Sequence, residues 1–201
     1  RRTGRLMYDL ILASSSPRRR DFLNNMGLTF TIVSPEIDEN PFEGEKPYDL
    51  VVRLAHNKAF AVFTNYSKNV VLAADTIVVC DNEILGKPHD REDALNMILK
   101  LSGKTHQVYT AVCIVGPQGK EEFVTVTDVT FSHFDERLAK IYVDSGESDD
   151  KSGSYALQGI AAMLIEKVNG SVSSVVGLPA CQTREALERF SIFPRTVKAL
   201  K

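Results

Sequence analysis

The stretch Ser14-Ser15-Ser16-Pro17-Arg18-Arg19-Arg20 sets hydroxyls and three guanidinium groups where a short apolar run, Tyr8 to Ala13, hands over to a helix. Ser16 reads as an N-cap and Pro17 as the first helical residue. Free N–H groups and the positive end of the helix dipole attract an anion there, and Ser14 adds a donor. Three arginines in a first turn oppose that dipole, so the pattern fits a helix start that holds something negative. Arg18 and Arg19 would then fork onto phosphate oxygens. The plainer reading, a solvated basic turn paired with nearby acids, stands beside it.

A second unusual residue is Asp75, followed by Thr76, inside the nearly continuous apolar run Val70 to Cys80. A carboxylate at that depth costs on the order of several kcal/mol unless a cation meets it. Alternation puts Asp75 on one strand face with Val71, Ala73 and Ile77. It is a candidate general base or metal ligand, with a structural ion pair as the alternative. Lys58 lies at helical spacing from Val51, Ala55 and Val62, on the stripe that must face inward, so it either snorkels out or reaches an internal anion. Lys87, held between Gly86 and Pro88, could touch phosphate from a tight loop. Gln158, in the polar loop from Lys151 to Gly159, carries an amide able to read a base edge. Glu36, Asp38 and Glu39 sit in an acidic loop, where one of them could share a divalent cation with Asp75.

The elements that must position these groups are readable from periodicity and punctuation. After the strand ending at Ala13, a helix runs to about Met26 and stops at Gly27; Thr29 to Val33 is a strand. Residues 34–46 form a loop, and Pro47 to about Tyr66 is the strongest helix. Val70 to Cys80 is a buried strand, with a short strand before Gly86. Asp90 caps a helix that reaches Leu101. Thr105 to Val115 and Glu121 to Phe131 flank a turn at Gly116–Gly119 as a long hairpin. A helix from Asp135 to Asp144, a further hairpin around Asn169-Gly170, and a helix from Ala180 to Phe190 complete the order. Strands alternating with helices and then forming hairpins predict an α/β fold with a mixed sheet, two lobes around a cleft, and one domain. Residues 1–7, ending at Met7, are expected to lie outside that fold as an appended or disordered start, and residues 8–201 to form the domain.

Composition narrows the function classes. The chain has 201 residues, 43% hydrophobic and 25% charged, with a net charge of −2, so neither nucleic acid nor an anionic membrane is drawn by global charge. An anion site must therefore be a local cluster of cations. The three cysteines, Cys80, Cys113 and Cys181, are odd in number and widely spaced. They read as reduced thiols of a cytoplasmic protein, neither a disulfide framework nor a zinc site. The histidines (His56, His89, His106, His133) show no metal-ligand spacing. Gly103-Lys104-Thr105 resembles the end of a phosphate loop, but Ile98 stands where the first glycine is required.

Taken together, Leu12-Ala13-Ser14-Ser15-Ser16-Pro17-Arg18-Arg19, Ala74-Asp75-Thr76, Gly86-Lys87-Pro88, Leu101-Ser102-Gly103-Lys104-Thr105-His106 and Val176-Gly177-Leu178-Pro179 resemble the Maf nucleotide pyrophosphatases, in that family's order, over about residues 8–190. The resemblance implies a Maf/inosine-triphosphatase-like fold, an elongated mixed β-sheet flanked by helices with a nucleotide cleft between lobes, and commonly a homodimer. It implies hydrolysis of a nucleoside triphosphate between the α and β phosphates with a divalent metal cation (Mg²⁺, Mn²⁺ or Co²⁺). Asp75 matches the family's catalytic acid and a metal ligand; Glu39 matches a second acid near the metal. Ser14, Arg18, Arg19, Lys58 and Lys87 match phosphate-handling positions. Arg18, Thr76 and Gln158 match the set associated with dTTP and UTP. The alternatives are another nucleotide (7-methyl-GTP, CTP or a modified UTP) and a non-catalytic nucleotide-binding regulator of cell division. The family loop usually reads Asp-Lys-Ala-Gly-Ala-Tyr-Gly-Ile-Gln-Gly; here Ser152, Ser154, Ala156 and Leu157 depart from it, and the missing glycine at 156 is expected to stiffen or shift the loop.

Overall fold

A computed structural model describes residues 9–195. The expectation for residues 1–7 lies outside the described residues. Within them a single sheet of seven strands has the order β2-β1-β3-β5-β6-β7, with β4 pairing β3. The strands are β1 (Leu10–Leu12), β2 (Phe30–Ile32), β3 (Val70–Cys80), β4 (Glu83–Leu85), β5 (Thr105–Gly116), β6 (Gly119–Phe131) and β7 (Ile165–Asn169). β1 runs parallel to both β2 and β3, whereas β4 to β7 join by antiparallel pairing. The helices are α1 (Pro17–Asn25), α2 (Pro47–Phe63), α3 (Arg91–Leu101), α4 (Glu136–Asp144), α5 (Val172–Val176) and α6 (Ala180–Glu188). The sheet is mixed and flanked by helices, as expected. No helix among the described residues is long and apolar enough to cross a membrane.

Local chemistry accounts for the helix starts. Ser16, Asp90 and Asp135 each accept a backbone N–H three residues on, and Pro17 and Pro47 occupy first-turn positions where a missing N–H costs nothing. α2 lays Val51, Ala55, Ala59 and Val62 against Val71, Ala73, Ile77 and Val79 of β3 and Ala111, Cys113 and Val115 of β5. This is the odd-numbered face of β3. The even-numbered face carries two separate apolar clusters. Val70, Leu72 and Ala74 pack with α1 and α6, while Val78 and Cys80 pack with α3 and α4. Between them, Thr76 and its cross-strand partner Thr110 interrupt the apolar surface. These two clusters on one continuous sheet are the two lobes that the sequence suggested.

The edge of β3 is interrupted at the same level. On one side β5 pairs with residues 71–79 without a break. On the other, β1 covers only Val70 to Leu72 and β4 only Val78 to Cys80, so residues 73–77 have no strand beside them. β1 ends there and delivers Ser14–Ser16 and the N-terminus of α1 into the gap. Crevices outside the carboxyl ends of parallel strands are where α/β sheets bind ligands.

One expected element is corrected. Asn169-Gly170 does not turn a hairpin, because of the two residues only Gly170 has a positive φ (134°), whereas the type I′ turn expected of such a pair needs both. β7 instead pairs back onto β6, and Ser171 caps α5 by accepting from the Ser174 N–H. Gly170 is packed closely: a Cβ there would meet the Thr127 Oγ1 at 2.9 Å and its Cα at 3.1 Å. Gly170→Ala is expected to destabilise the fold by about 1–3 kcal/mol, a drop of several degrees in Tm by thermal unfolding; an unchanged Tm would refute this account of the turn.

Candidate functional site

The gap in the β3 edge opens into a cleft of about 890 Å³. That volume suits a ligand of nucleotide size. All nine residues named from the sequence (Ser14, Arg18, Arg19, Glu39, Lys58, Asp75, Thr76, Lys87 and Gln158) line it. The interrupted edge explains how Asp75 and Thr76, which point to opposite faces of one strand, serve a single cleft.

Asp75 is buried, and its Oδ1 receives the Lys58 ammonium at 2.9 Å. The same ammonium lies 2.8 Å from Glu39 Oε1. Lys58 therefore takes the inward course of the two left open by its spacing, and it draws both acids together. Asp75 Oδ2 is buried and has no hydrogen-bond partner. A buried carboxylate oxygen without a donor is costly in an apo protein. The oxygens of Asp75 and Glu39 are the hard donors that a magnesium-like cation takes, so the residues present fit a divalent metal. Glu39 is selected over its acidic neighbours by alternation: Pro35, Ile37 and Glu39 line the cleft along an extended segment, whereas Glu36 and Asp38 do not.

Further cations line the same cleft. Arg19 donates from Nε to the Gly177 carbonyl at 2.7 Å and from Nη2 to Thr76 Oγ1 at 3.1 Å. Burial lowers its pKa, opposed by the charge of Asp75. Thr76 Oγ1 also meets Thr110 Oγ1 at 2.9 Å, and Thr110 donates to the Ser174 carbonyl. Thr76 thus braces Arg19. Ser14 is buried and accepts from the Ser16 N–H, while Ser16 caps α1 through the Arg19 N–H. Arg18 and Lys87 are exposed, and among the described residues no carboxylate lies within ion-pair distance of Lys87.

Gln158 sits on a loop with its own supports, which the sequence did not disclose. Glu147 accepts from the Ile160 N–H at 2.9 Å and the Ala161 N–H at 3.1 Å, clamping the far side of Gly159. Gly159 has a φ of 141°, which side chains rarely adopt, and a Cβ there would also displace this carboxylate, so the position favours glycine. The left-handed backbone positions are Gly153, Ser154 and Gly159; Ala156 is not among them and needs no glycine. Glu147 could not have been found by pattern, since it is one acid among several in a polar stretch. Outside the cleft, His56, Cys113 and Glu122 place ligand atoms within 4.8 Å of one another.

Comparison with known proteins points the same way. The family model described as Maf-like protein matches residues 9–190. A dTTP/UTP pyrophosphatase of Symbiobacterium thermophilum is 46% identical, covering 92% of this chain and 95% of that protein. Proteins of the same name from Bacillus velezensis (44% identity, 91% of this chain and 97% of that one) and Hahella chejuensis (45%, 91% and 92%) are similar. Among solved structures, the Ham1 protein of Staphylococcus aureus matches at a TM-score of 0.42 and 15% identity, over 61% of this chain and 71% of that chain, too distant to bear on the reading.

The loop is backed by a buried pair. Tyr155 Oη lies 2.6 Å from His106 Nε2, and both rings stand edge-on to Phe131. Burial pulls His106 from 6.5 to about 4, weakly opposed by Asp128. The unfolded chain takes up this proton near pH 6.5 and the folded one only near pH 4. The contribution is therefore present in full above pH 6.5 and lost as pH falls toward about 4, on the order of 3 kcal/mol. Urea unfolding across that window should show the loss in the unsubstituted chain and a flatter dependence in His106→Gln; equal slopes would contradict it.

Proposed function

This chain belongs to the Maf family, and from that starting point we propose that it is a nucleoside triphosphate pyrophosphatase hydrolysing dTTP and UTP to the monophosphate and pyrophosphate. The observation that carries the reading is Asp75 Oδ2, buried and without a partner on the floor of a cleft walled by Arg19, Lys58 and Lys87. A pure binder of anions gains nothing from a carboxylate beside the phosphates, which favours an enzyme over a non-catalytic regulator.

The triphosphate lies across the N-terminus of α1, where Ser14, Arg18 and Arg19 take its oxygens and Lys87 approaches from the facing loop. Asp75 and Glu39 would hold the divalent cation, Mg²⁺, Mn²⁺ or Co²⁺; when bound, it neutralises phosphate charge and acts as a Lewis acid. Lys58 fixes Asp75 through Oδ1, and the carboxylate orients or deprotonates a water for attack on the α-phosphorus. Pyrophosphate leaves with its charge spread over the arginines and lysines. Gln158 meets the N3–H and O4 of a uracil or thymine ring, and Thr76 contributes by holding Arg19 in place. The reading also takes in a homodimer, on the family resemblance, and a place in the cytoplasm, on the three reduced thiols.

Asp75→Asn is expected to lower pyrophosphate release from dTTP and UTP by about 10²- to 10⁴-fold in kcat, with nucleotide binding by calorimetry little changed. Loss of binding and turnover in equal measure would make Asp75 structural. Gln158→Ala should reduce the preference for UTP over CTP in kcat/KM by about tenfold; an unaltered ratio would move base selection elsewhere in the cleft.

A further inference from the structure

On the same sheet face as Asp75, over the neighbouring strand β5 and the next strand β6, three side chains of different chemistry converge. Cys113 of β5 and Glu122 of β6 are direct cross-strand partners, and the thiol lies 3.5 Å from Glu122 Oε1. His56 of α2 brings Nδ1 to 2.5 Å from the same oxygen. The imidazole ring is fixed by stacking on Phe60, with centroids 4.3 Å apart and planes inclined by 20°. Nothing in the proposed hydrolysis uses these residues. His56 and Lys58 lie about 160° apart around α2, because two residues advance a helix by about 200°. They accordingly reach down opposite sides of the helix.

We propose that His56, Cys113 and Glu122 form a second cation site, selective for a borderline-soft divalent ion of the zinc class. The three ligand atoms lie within 4.8 Å of one another; to surround an ion at about 2.0–2.3 Å from each, His56 Nδ1 and Glu122 Oε1 must part from 2.5 Å to roughly 3.3 Å, while the 3.5 Å between Cys113 and Glu122 already suits it. The donor set of nitrogen, sulfur and oxygen discriminates against magnesium, which takes oxygen and water, and so separates this site from the all-oxygen pair Asp75 and Glu39. Charge also closes. A neutral imidazole, a carboxylate and a thiolate balance a divalent ion, and the Cys113 proton leaves to solvent as the ion binds. Without the ion, burial holds the Cys113 thiol protonated, well above its ordinary range. Three protein ligands leave one tetrahedral position for water, and the half-exposed His56 gives solvent a path to it. Lys120, 3.5 Å from Glu122, is the lysine that must yield among the described residues; it is exposed enough to swing away. Linear spacing conceals this site because its ligands come from a helix and two strands, 57 and 9 residues apart by numbering (113 − 56 and 122 − 113).

Cobalt(II) added to the 201-residue chain tests the assignment, since a thiolate–cobalt bond gives a near-ultraviolet charge-transfer band that an oxygen-only site cannot give. The band is expected in the unsubstituted chain and in Asp75→Asn, absent in Cys113→Ser, and weakened in Glu122→Gln with a loss of at least about tenfold in cobalt affinity. Glu122 is partly exposed, so this variant keeps the test valid if Cys113→Ser folds poorly. No band at saturating cobalt, or a band that survives Cys113→Ser or is indifferent to Glu122→Gln, would overturn the proposal and leave an ion pair only.

Discussion

β3 carries a carboxylate at the one level where the strand lacks a neighbour. A residue at the middle of a seven-stranded sheet is normally sealed by a strand on each side and a helix on each face. Here β1 stops at Leu12, opposite Leu72, and β4 reaches no further than Val78, so the backbone between is free on one edge. Everything that lines the cleft is arranged around that vacancy. The end of β1 supplies the serines and the start of α1, the extended segment after β2 supplies Glu39, and the strand itself supplies Asp75 from one face and Thr76 from the other.

Lys58 makes this arrangement tolerable. A buried carboxylate without a counter-charge would be expelled or neutralised. One ammonium from the inner stripe of α2 answers both Asp75 and Glu39 while leaving Asp75 Oδ2 unsatisfied. For Arg19 the problem is reversed: a half-buried cation is held by the Gly177 carbonyl and by a chain of hydroxyls through Thr76 and Thr110 to the Ser174 backbone. Carboxylates and cations thus line one cleft of nucleotide size. A triphosphate with its metal complements both, because it presents anionic oxygens to the arginines and a cation to the carboxylates.

Much of this was legible in the chain because each signal had a local physical cause. Asp75 violates the pattern of a buried strand, Lys58 violates an apolar helical stripe, and three arginines oppose a helix dipole; conflicts of this kind mark sites that something else must satisfy. The supports were illegible for the opposite reason. Glu147 binds two N–H groups thirteen and fourteen residues away, and Thr110 meets Thr76 only through sheet register. Such roles come from tertiary juxtaposition, with no periodicity to betray them. The Asn169-Gly170 error had a similar source, since a dipeptide that favours a hairpin was overridden by the pairing of β7 with β6 and the capping of α5 by Ser171.

The central claim is that the cleft directs water onto the α-phosphorus of the nucleotide. A single-turnover reaction of UTP in water labelled with heavy oxygen, followed by mass analysis of both products, tests it directly. The account predicts the label in the nucleoside monophosphate and none in pyrophosphate. Label in pyrophosphate would place the attack on the β-phosphorus and contradict the geometry assigned to Asp75.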